Sequence, residues 1–313
     1  MNPAIPPVFR CLTCRGATIE SHGDHWKCSS CGAAYPVIDG VPRFAVEGYV
    51  ASFGRQWNRY DVARDAEDEA VFAVKTGVDP RSLDGKLVLD AGCGGGRYAH
   101  LLGRFGARVV GVDLSDAVRK ASELCAEMPN VTIAQGDLLN LPLADSAFDF
   151  AFSIGVMHHG PDPRRAFRQV AAKVKPGGRL AVWLYRRNTP PQEWINSALR
   201  LATTRAPSRI LEPLCAAAGI LGSVPIVNRT LNKVVNFSNH PDWTLRVCDN
   251  FDWYAPRYQS HHTVAELRDW FAAEGFTDLA TLPPARPGRL YHWAYDHNLI
   301  IGSGVNVVGT KEV

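Results

Sequence analysis

The sequence predicts an α/β protein built on a doubly wound parallel sheet, with a small cysteine-stapled unit before it and a helical insertion after its fifth strand. Three observations carry this reading. Strand and helix signals alternate between residues 86 and 188, the pattern of repeated βα units. Two Cys-x2-Cys knuckles stand ahead of that region, and from 189 to 250 the alternation gives way to apolar helical segments separated by prolines. The expected boundaries are 1–46 for the cysteine unit, 47–85 for a helical bridge or lid, and 86–313 for the main domain, with its insertion at 189–250.

The N-terminal unit is read from its thiols. Of eight cysteines, four lie in the first 31 residues: Cys11, Cys14, Cys28 and Cys31. Two knuckles at this separation can close a tetrahedral zinc site of four thiolates. The stretch TIESHGDHWKC between them reads as a hairpin carrying the second knuckle. His22 and His25 are expected at the surface, because four sulfurs already fill a tetrahedron. So short a unit cannot bury enough core by itself, so the zinc is expected to be structural. The four scattered cysteines are expected to behave as small buried hydrophobes in a reducing compartment.

The bridge holds SFGRQWNRY, with Phe53, Trp57 and Tyr60 at helical spacing, and an acidic helical patch at Asp65–Glu69. In the main domain KLVLDAG reads as a buried strand, RYAHLLGRFG as a helix stopped by Gly106, and ARVVGVD as the next strand. Ser115 is placed to cap the helix DAVRKASELCAE. VTIAQGD and FDFAFSIG are the third and fourth strands. Asp162-Pro163 opens the helix RRAFRQVAAKV, Lys175-Pro176-Gly177-Gly178 stops it, and RLAVWLY follows as the fifth strand. In the insertion, WINSALRLATT, SRILEPLCAAAGIL and IVNRTLNKVVNF read as helices. Thr263 and Glu266 form a capping box for HHTVAELRDWFAAEGF, which Gly275 ends. FTDLATL and HNLIIGSG are candidate final strands.

Ligand chemistry is read from the loop Asp90–Tyr98, DAGCGGGRY. A dinucleotide fingerprint needs G-x-G-x-x-G after a strand; counted from Gly92, the sixth position is Arg97. No Gly-Lys-Ser/Thr follows either, so a phosphate loop is not supported. A carboxylate just before the loop would repel phosphate and suit a cation. Asp113 ends the second strand, where it can accept from both ribose hydroxyls. Asp137 ends the third strand, where it can accept from an exocyclic adenine amine, with the Leu138 amide facing a ring nitrogen. The set suits a nucleoside with a short cationic tail, a description that S-adenosylmethionine meets.

VLDAGCGGGRY, GVDLS, QGDLLNLPLADSAFDFAFSIGVMHH and KPGGRLAVW together resemble the class I S-adenosylmethionine-dependent methyltransferases over about Lys86–Tyr185. The similarity is to the small-molecule branch that includes ubiquinone and menaquinone biosynthesis enzymes, and it implies a Rossmann-like methyltransferase sheet. It further implies that Gly92, Gly94 and Gly96 line the methionine and ribose end, that Asp113 with Leu114 takes the ribose, and that Asp137 with Leu138 takes the adenine. Asp90 would orient the amino-acid end, Ser153 would stand by the cofactor, and Phe53 and Trp57 would close over it. Residues 11–44, ending YPVIDGVPRF, resemble the small zinc-ribbon activator that partners several RNA and release-factor methyltransferases, here fused in the same chain. The Asn/Asp-Pro-Pro-Tyr motif of enzymes acting on base amines or glutamine amides is replaced by SIGVMHH, which argues against those substrates.

Transfer to oxygen or carbon needs a proton removed, and histidine suits that task near neutral pH. His158 and His159 follow the fourth strand, as bases or as residues that shape its turn. DNFDWYAPRYQSHHT (Asp249–Thr263) is read as a substrate-facing loop or a packed connector, with Tyr254, Tyr258, His261 and His262 as base or orienting groups. Arg186 and Arg187 either bind an anion at the rim or are solvated. The expected acceptor is a small, partly hydrophobic molecule held by 189–250. Two rival readings are an RNA-modifying methyltransferase and a non-catalytic cofactor-binding subunit. A net charge of +3 gives nucleic acid no support. No segment approaches the roughly 18 apolar residues of a membrane span, so a soluble cytoplasmic protein is expected, its oligomeric state left open, a homodimer included.

Overall fold

The computed structural model describes residues 5–46, 65–224, 240–282, 289–297 and 304–313, with Gly48 and short pieces between 226 and 238. Phe53, Trp57 and Tyr60 lie outside the described residues. The N-terminal unit is a four-stranded antiparallel sheet in the order β1 (Ile19–Ser21), β2 (His25–Cys28), β3 (Ala34–Ile38) and β4 (Val41–Pro42). The hairpin read from TIESHGDHWKC is β1–β2, with Ile19 opposite Cys28.

The main sheet has seven strands. Five are parallel: β5 (Leu87–Ala91), β6 (Arg108–Asp113), β7 (Val131–Gln135), β8 (Phe148–Ile154) and β9 (Val174–Tyr185). β10 (Phe276–Thr281) and β11 (Gly304–Lys311) complete it in the order β10-β11-β9-β8-β5-β6-β7, and β11 runs antiparallel to both neighbours. The sheet is therefore mixed rather than all parallel. From β5 the chain winds outward to β6 and β7, then returns to β8 on the other side. That reversal leaves a crevice beyond the carboxyl ends of β5 and β8, where open α/β sheets bind ligands.

Each face of the sheet carries a core. On one side α1 (Asp65–Thr76), α2 (Arg97–Arg104) and α3 (Val118–Leu124) bury Phe72, Leu101, Leu102 and Val118. On the other, α4 (Pro163–Lys173) and α8 (Val264–Ala273) bury Phe167, Val170, Leu267 and Phe271. The N-terminal unit belongs to this second core: Phe9, Trp26, Tyr35 and Phe44 cluster with Leu138, Leu141 and Leu143. It also pairs with the outermost strand and its following loop. Phe44 N donates to Gln135 O at 2.8 Å, Arg10 N to Pro142 O at 2.8 Å, and Ala144 N to Val8 O at 2.7 Å. The cysteine unit thus covers an edge that would otherwise expose unpaired backbone groups.

Several elements depart from the sequence expectation. Ser115 does not cap α3; its hydroxyl turns back to Asp113 Oδ1 at 2.7 Å, and α3 is shorter than the reading. Lys175–Gly178 does not separate helix from strand but lies inside β9 as a bulge, because Phe148 pairs with Val174 and Phe150 with Arg179. The insertion holds α5 (Pro190–Thr203) and α6 (Ser208–Ser223) as expected. The first six residues of the segment Asp249–Thr263, expected as a loop or connector, belong instead to the helix α7 (Trp243–Tyr254). Asp242 caps it by accepting from Leu245 N at 3.0 Å, and Val247, Phe251 and Tyr254 supply a buried stripe at helical spacing. The last described strand is β11, GVNVVGTK, and α9 (Arg289–Asp296) precedes it; of the predicted strand HNLIIGSG, residues 298–303 lie outside the described residues.

Candidate active site

A cavity of about 280 Å³ opens at the crevice. On one side the loop after β5 lines it with Gly92, Gly94 and Gly95, and Asp90 lies beneath. Gly92 has φ +92°, and a Cβ there would meet the Val156 side chain at 2.3 Å, so only glycine fits that turn. Gly96, φ +85°, starts α2 and lies against the Ala121 backbone; it serves helix packing and is not in the cavity wall.

Asp113 holds the loop. Its Oδ2 accepts from Gly94 N at 2.9 Å, and its Oδ1 from Ser115 N at 2.8 Å. Leu114, Asp137 and Leu138 line the same wall. Asp137 Oδ1 accepts from Leu139 N at 2.8 Å, which fixes the carboxylate in its turn. Ser153 stands behind the cavity: it is fully buried and donates to Ala91 O at 2.8 Å, tying β8 to β5.

Asp90 is 2% exposed, and its Oδ2 has no hydrogen-bond partner. Burial first, and the Asp113 charge second, push its carboxyl up to about 8, against the pull of Arg97. Arg97, the residue that breaks the dinucleotide pattern, pairs with Asp68 at 3.3 Å and lies over the Tyr98 ring. Asp90 and Arg97 thus bring a carboxyl and a guanidinium to the same cavity wall.

Another part of the wall is built by β8, β9, α7 and Lys75 of α1. Trp183 and Tyr185 present aromatic faces, and Lys75 Nζ sits 4.0 Å from the Trp183 ring centre. Burial brings the Lys75 amine down to about 8, with Arg97 adding to the effect. Asp249 and Asp252 enter from α7. Tyr185 donates its hydroxyl to Asp252 Oδ2 at 2.5 Å. His159 Nε2 lies 3.5 Å from the same oxygen, and its Nδ1 lies 3.4 Å from the Tyr258 carbonyl. Burial, then Asp252, holds the Tyr185 phenol well above its usual range, so it remains a donor.

The other predicted histidines and the tyrosine sit elsewhere. His158 is fully buried beside Tyr185 and outside the cavity wall; burial holds it well below the usual histidine range, so it stays neutral. His262 packs on Trp270 and bonds Ser260 and Glu266. His261 pairs with Glu193 in a neighbouring pocket. Tyr254 belongs to a separate core, with its hydroxyl 3.0 Å from Asn196 Oδ1. Arg186 is neither solvated nor at a rim: it is 2% exposed, over the Tyr295 ring. Arg187 is half-exposed and pairs with Glu266 at 3.5 Å.

Lys75, Trp183, Tyr185, Asp249 and Asp252 were not singled out from the sequence. Asp249 and Asp252 fall within DNFDWYAPRYQSHHT, where as loop residues they would share no common face. Helical spacing in 243–254 is the signal that would have put Asp249 and Asp252 on one face. Of the insertion, α7 reaches the cavity, whereas α5 and α6 leave Trp194, Leu201, Leu214 and Ile220 more than half exposed.

In the N-terminal unit the four cysteine sulfurs all lie within 4.8 Å of one another. Cys11–Cys31 and Cys14–Cys28 are each 3.6 Å apart. Four thiolates around one zinc, with Zn–S near 2.3 Å, sit roughly 3.8 Å apart, so the cluster fits that ion. Among the described residues no helix is long and apolar enough to cross a membrane.

Comparison with known proteins agrees with this architecture. Residues 89–182 match a family model described as a methyltransferase domain. The chain is 37% identical over 109 residues to a ubiquinone biosynthesis O-methyltransferase of Coxiella burnetii, covering 34% of this chain and 47% of that protein. It is 40% identical over 111 residues to a demethylmenaquinone methyltransferase of Corynebacterium kroppenstedtii, covering 35% and 45%. The chain thus spans about half the length of the curated relatives it matches. A solved Thermotoga maritima S-adenosylmethionine-dependent methyltransferase superposes with a TM-score of 0.47 at 20% identity, over 85% of this chain and all of that one. The cavity's glycine loop, the acid that ends β6 and the acid that follows β7 all lie in the segment that matches the methyltransferase-domain model.

Proposed function

We propose that this chain transfers the methyl group of S-adenosylmethionine to a hydroxyl of a small acceptor bound between Trp183, Tyr185 and α7. The carrying observation is one cavity whose wall has two chemically distinct parts: a nucleoside and amino-acid cradle at β5–β7, and a base with aromatic walls at β8–β9. Bound S-adenosylmethionine supplies a methyl group on a positive sulfur. The name of one relative, a ubiquinone biosynthesis O-methyltransferase, supports an oxygen acceptor, while that of the demethylmenaquinone methyltransferase specifies no atom. The half-buried lining acids Asp249 and Asp252 favour an acceptor that carries polar groups.

The protein's own residues position and deprotonate. Asp113 accepts from the ribose, Asp137 and Leu138 take the adenine edge, and Asp90 with Arg97 holds the amino-acid tail. The Tyr258 carbonyl selects the His159 tautomer with its proton on Nδ1, so Nε2 keeps its lone pair toward the cavity. Nε2 takes the acceptor's proton, and Asp252, steadied by Tyr185, stabilises the imidazolium. Cys11, Cys14, Cys28 and Cys31 would hold zinc in a structural role, since four thiolates would leave it no position open to substrate.

Two measurements test this reading. In a screen of phenols and catechols with isotopically labelled methyl donor, an accepted substrate should lose about 10²–10⁴-fold in kcat with His159→Ala. Affinity for S-adenosylhomocysteine should stay within twofold. A full-rate variant would remove His159 as base.

The second concerns protons. With its pKa near 8, Asp90 is mostly protonated at pH 7. A cationic ligand favours the carboxylate, so binding releases a proton, and affinity rises from pH 6 to 8 and then levels off. Calorimetry in buffers of different ionisation enthalpy should register about one proton released at pH 7, and none with Asp90→Asn. No release from the wild-type protein would sink the placement of Asp90.

A further inference from the structure

A second pocket lies beyond β9. It has a volume of about 190 Å³ and is lined by Arg187, Gln259, His261 and four residues of α5. Those four, Glu193, Asn196, Ser197 and Arg200, recur at helical spacing and make one polar face. The arrangement inverts the usual amphipathic order: Trp194 and Leu201 face outward at 73% and 66% exposure, while Asn196 is 3% exposed.

Hydrogen-bond donors in the pocket outnumber the acceptors that hold them. Asn196 Oδ1 is engaged by the Tyr254 hydroxyl at 3.0 Å and the Asn236 amide at 3.4 Å. Its Nδ2 is then buried with no partner. A buried donor left unmade costs about 1–3 kcal/mol, so the geometry asks for an acceptor. Arg200 donates to two backbone carbonyls, Trp253 O and Pro256 O, both at 2.6 Å. Among the described residues no carboxylate pairs with it. The one acid in the wall, Glu193, already accepts from His261 at 2.7 Å and from Asn188 N at 2.6 Å. Arg187 shares its charge with Glu266 at 3.5 Å, so what remains is the Arg200 charge, the Asn196 amide donor on α5, and the Ser197 hydroxyl.

We propose that this pocket binds a small organic carboxylate, which accepts from Asn196 Nδ2 and is attracted by Arg200, with Arg187 at the rim shared with Glu266. The pocket adjoins the transfer cavity: the Tyr185 ring lies 6.1 Å from that of His261, and Arg200 feels the charge of Asp252. The carboxylate is therefore either part of the methyl acceptor or a separate ligand. Only the first source rests on the methyl-transfer reading.

The probe is 4-fluorobenzoate, observed by fluorine NMR on the full chain saturated with S-adenosylhomocysteine, so that the tail cradle is filled. The wild-type protein should bind it in the millimolar range or tighter, with fluorobenzene showing no binding. Asn196→Asp keeps the oxygen that Tyr254 needs and sets a negative charge in place of the donor; it should weaken the probe at least tenfold. Arg187→Gln should weaken it several-fold. Unaltered S-adenosylhomocysteine affinity reports that each variant is folded. Absence of wild-type binding, or equal binding by both variants, overturns the proposal. If 3,4-dihydroxybenzoate is methylated and Asn196→Asp raises its KM at least tenfold, the carboxylate belongs to the acceptor. If the probe binds but no hydroxybenzoate is methylated, the pocket stands with a separate carboxylate ligand.

Discussion

Asp113→Ala is expected to reduce affinity for S-adenosylmethionine on the order of 100-fold or more, since two ribose hydrogen bonds to a carboxylate contribute about 1.5–3 kcal/mol each. The side chain has a second task that adds to the loss. Its Oδ2 accepts from Gly94 N at 2.9 Å, so the same carboxylate holds the glycine loop in shape. A carboxylate offers roughly four acceptor directions, and Gly94 N with the Ser115 amide and hydroxyl takes three. One direction remains for ligand, and the Ser115 hydroxyl can turn away to release another. Asp113→Asn keeps the shape but gives up the charge, so a smaller loss is expected. Calorimetric titration decides the matter; unchanged affinity in the alanine variant would refute the ribose assignment.

The second large effect comes from the cysteine cluster. Mass spectrometry under non-denaturing conditions should find one zinc per chain, and Cys11→Ser should release it. Structural zinc sites contribute roughly 10–16 kcal/mol, comparable with the whole stability of a typical domain, so the metal-free unit should unfold. The damage should then spread. Phe9, Trp26 and Phe44 share a core with Leu138 and Leu141, and Arg10 and Val8 pair with the backbone of Pro142 and Ala144. Leu138 is in the wall of the cofactor cavity. Chelation should therefore lower the melting temperature and weaken S-adenosylhomocysteine about tenfold, even though no cysteine touches the cavity. Full retention of affinity in a zinc-free chain would disconnect the two units.

The central sheet was legible because its signals are local. Buried parallel strands read as apolar runs, and glycine, Asp-Pro and capping-box signals mark the ends of the helices between them. The cofactor end of the cavity was legible for the same reason: Gly92, Gly94, Asp113, Asp137 and Leu138 each follow a strand and are fixed by the turn that ends it. Where local signals compete, the reading failed. Lys175-Pro176-Gly177-Gly178 has the chemistry of a stop, yet pairing with β8 draws it into β9 as a bulge. The segment 243–254 carries acids and aromatics that suit a loop as well as a helix, and packing against α6 settles it as α7.

By itself the sequence determined the α/β class, the four-thiol cluster and the strand-end residues Gly92, Gly94, Asp113, Asp137 and Leu138 that line the cavity. These depend on spacing within one turn or one strand end, which covalent connection enforces. The tertiary structure alone decided which of several histidines meets the cavity, because His158 and His159 differ only in the direction their turn gives them. It also brought Lys75, Tyr185 and Asp252 together from three distant segments. It seated the cysteine unit against the edge of the main sheet and turned the polar face of α5 inward. Such juxtapositions arise from packing between elements, and no spacing along the chain encodes them.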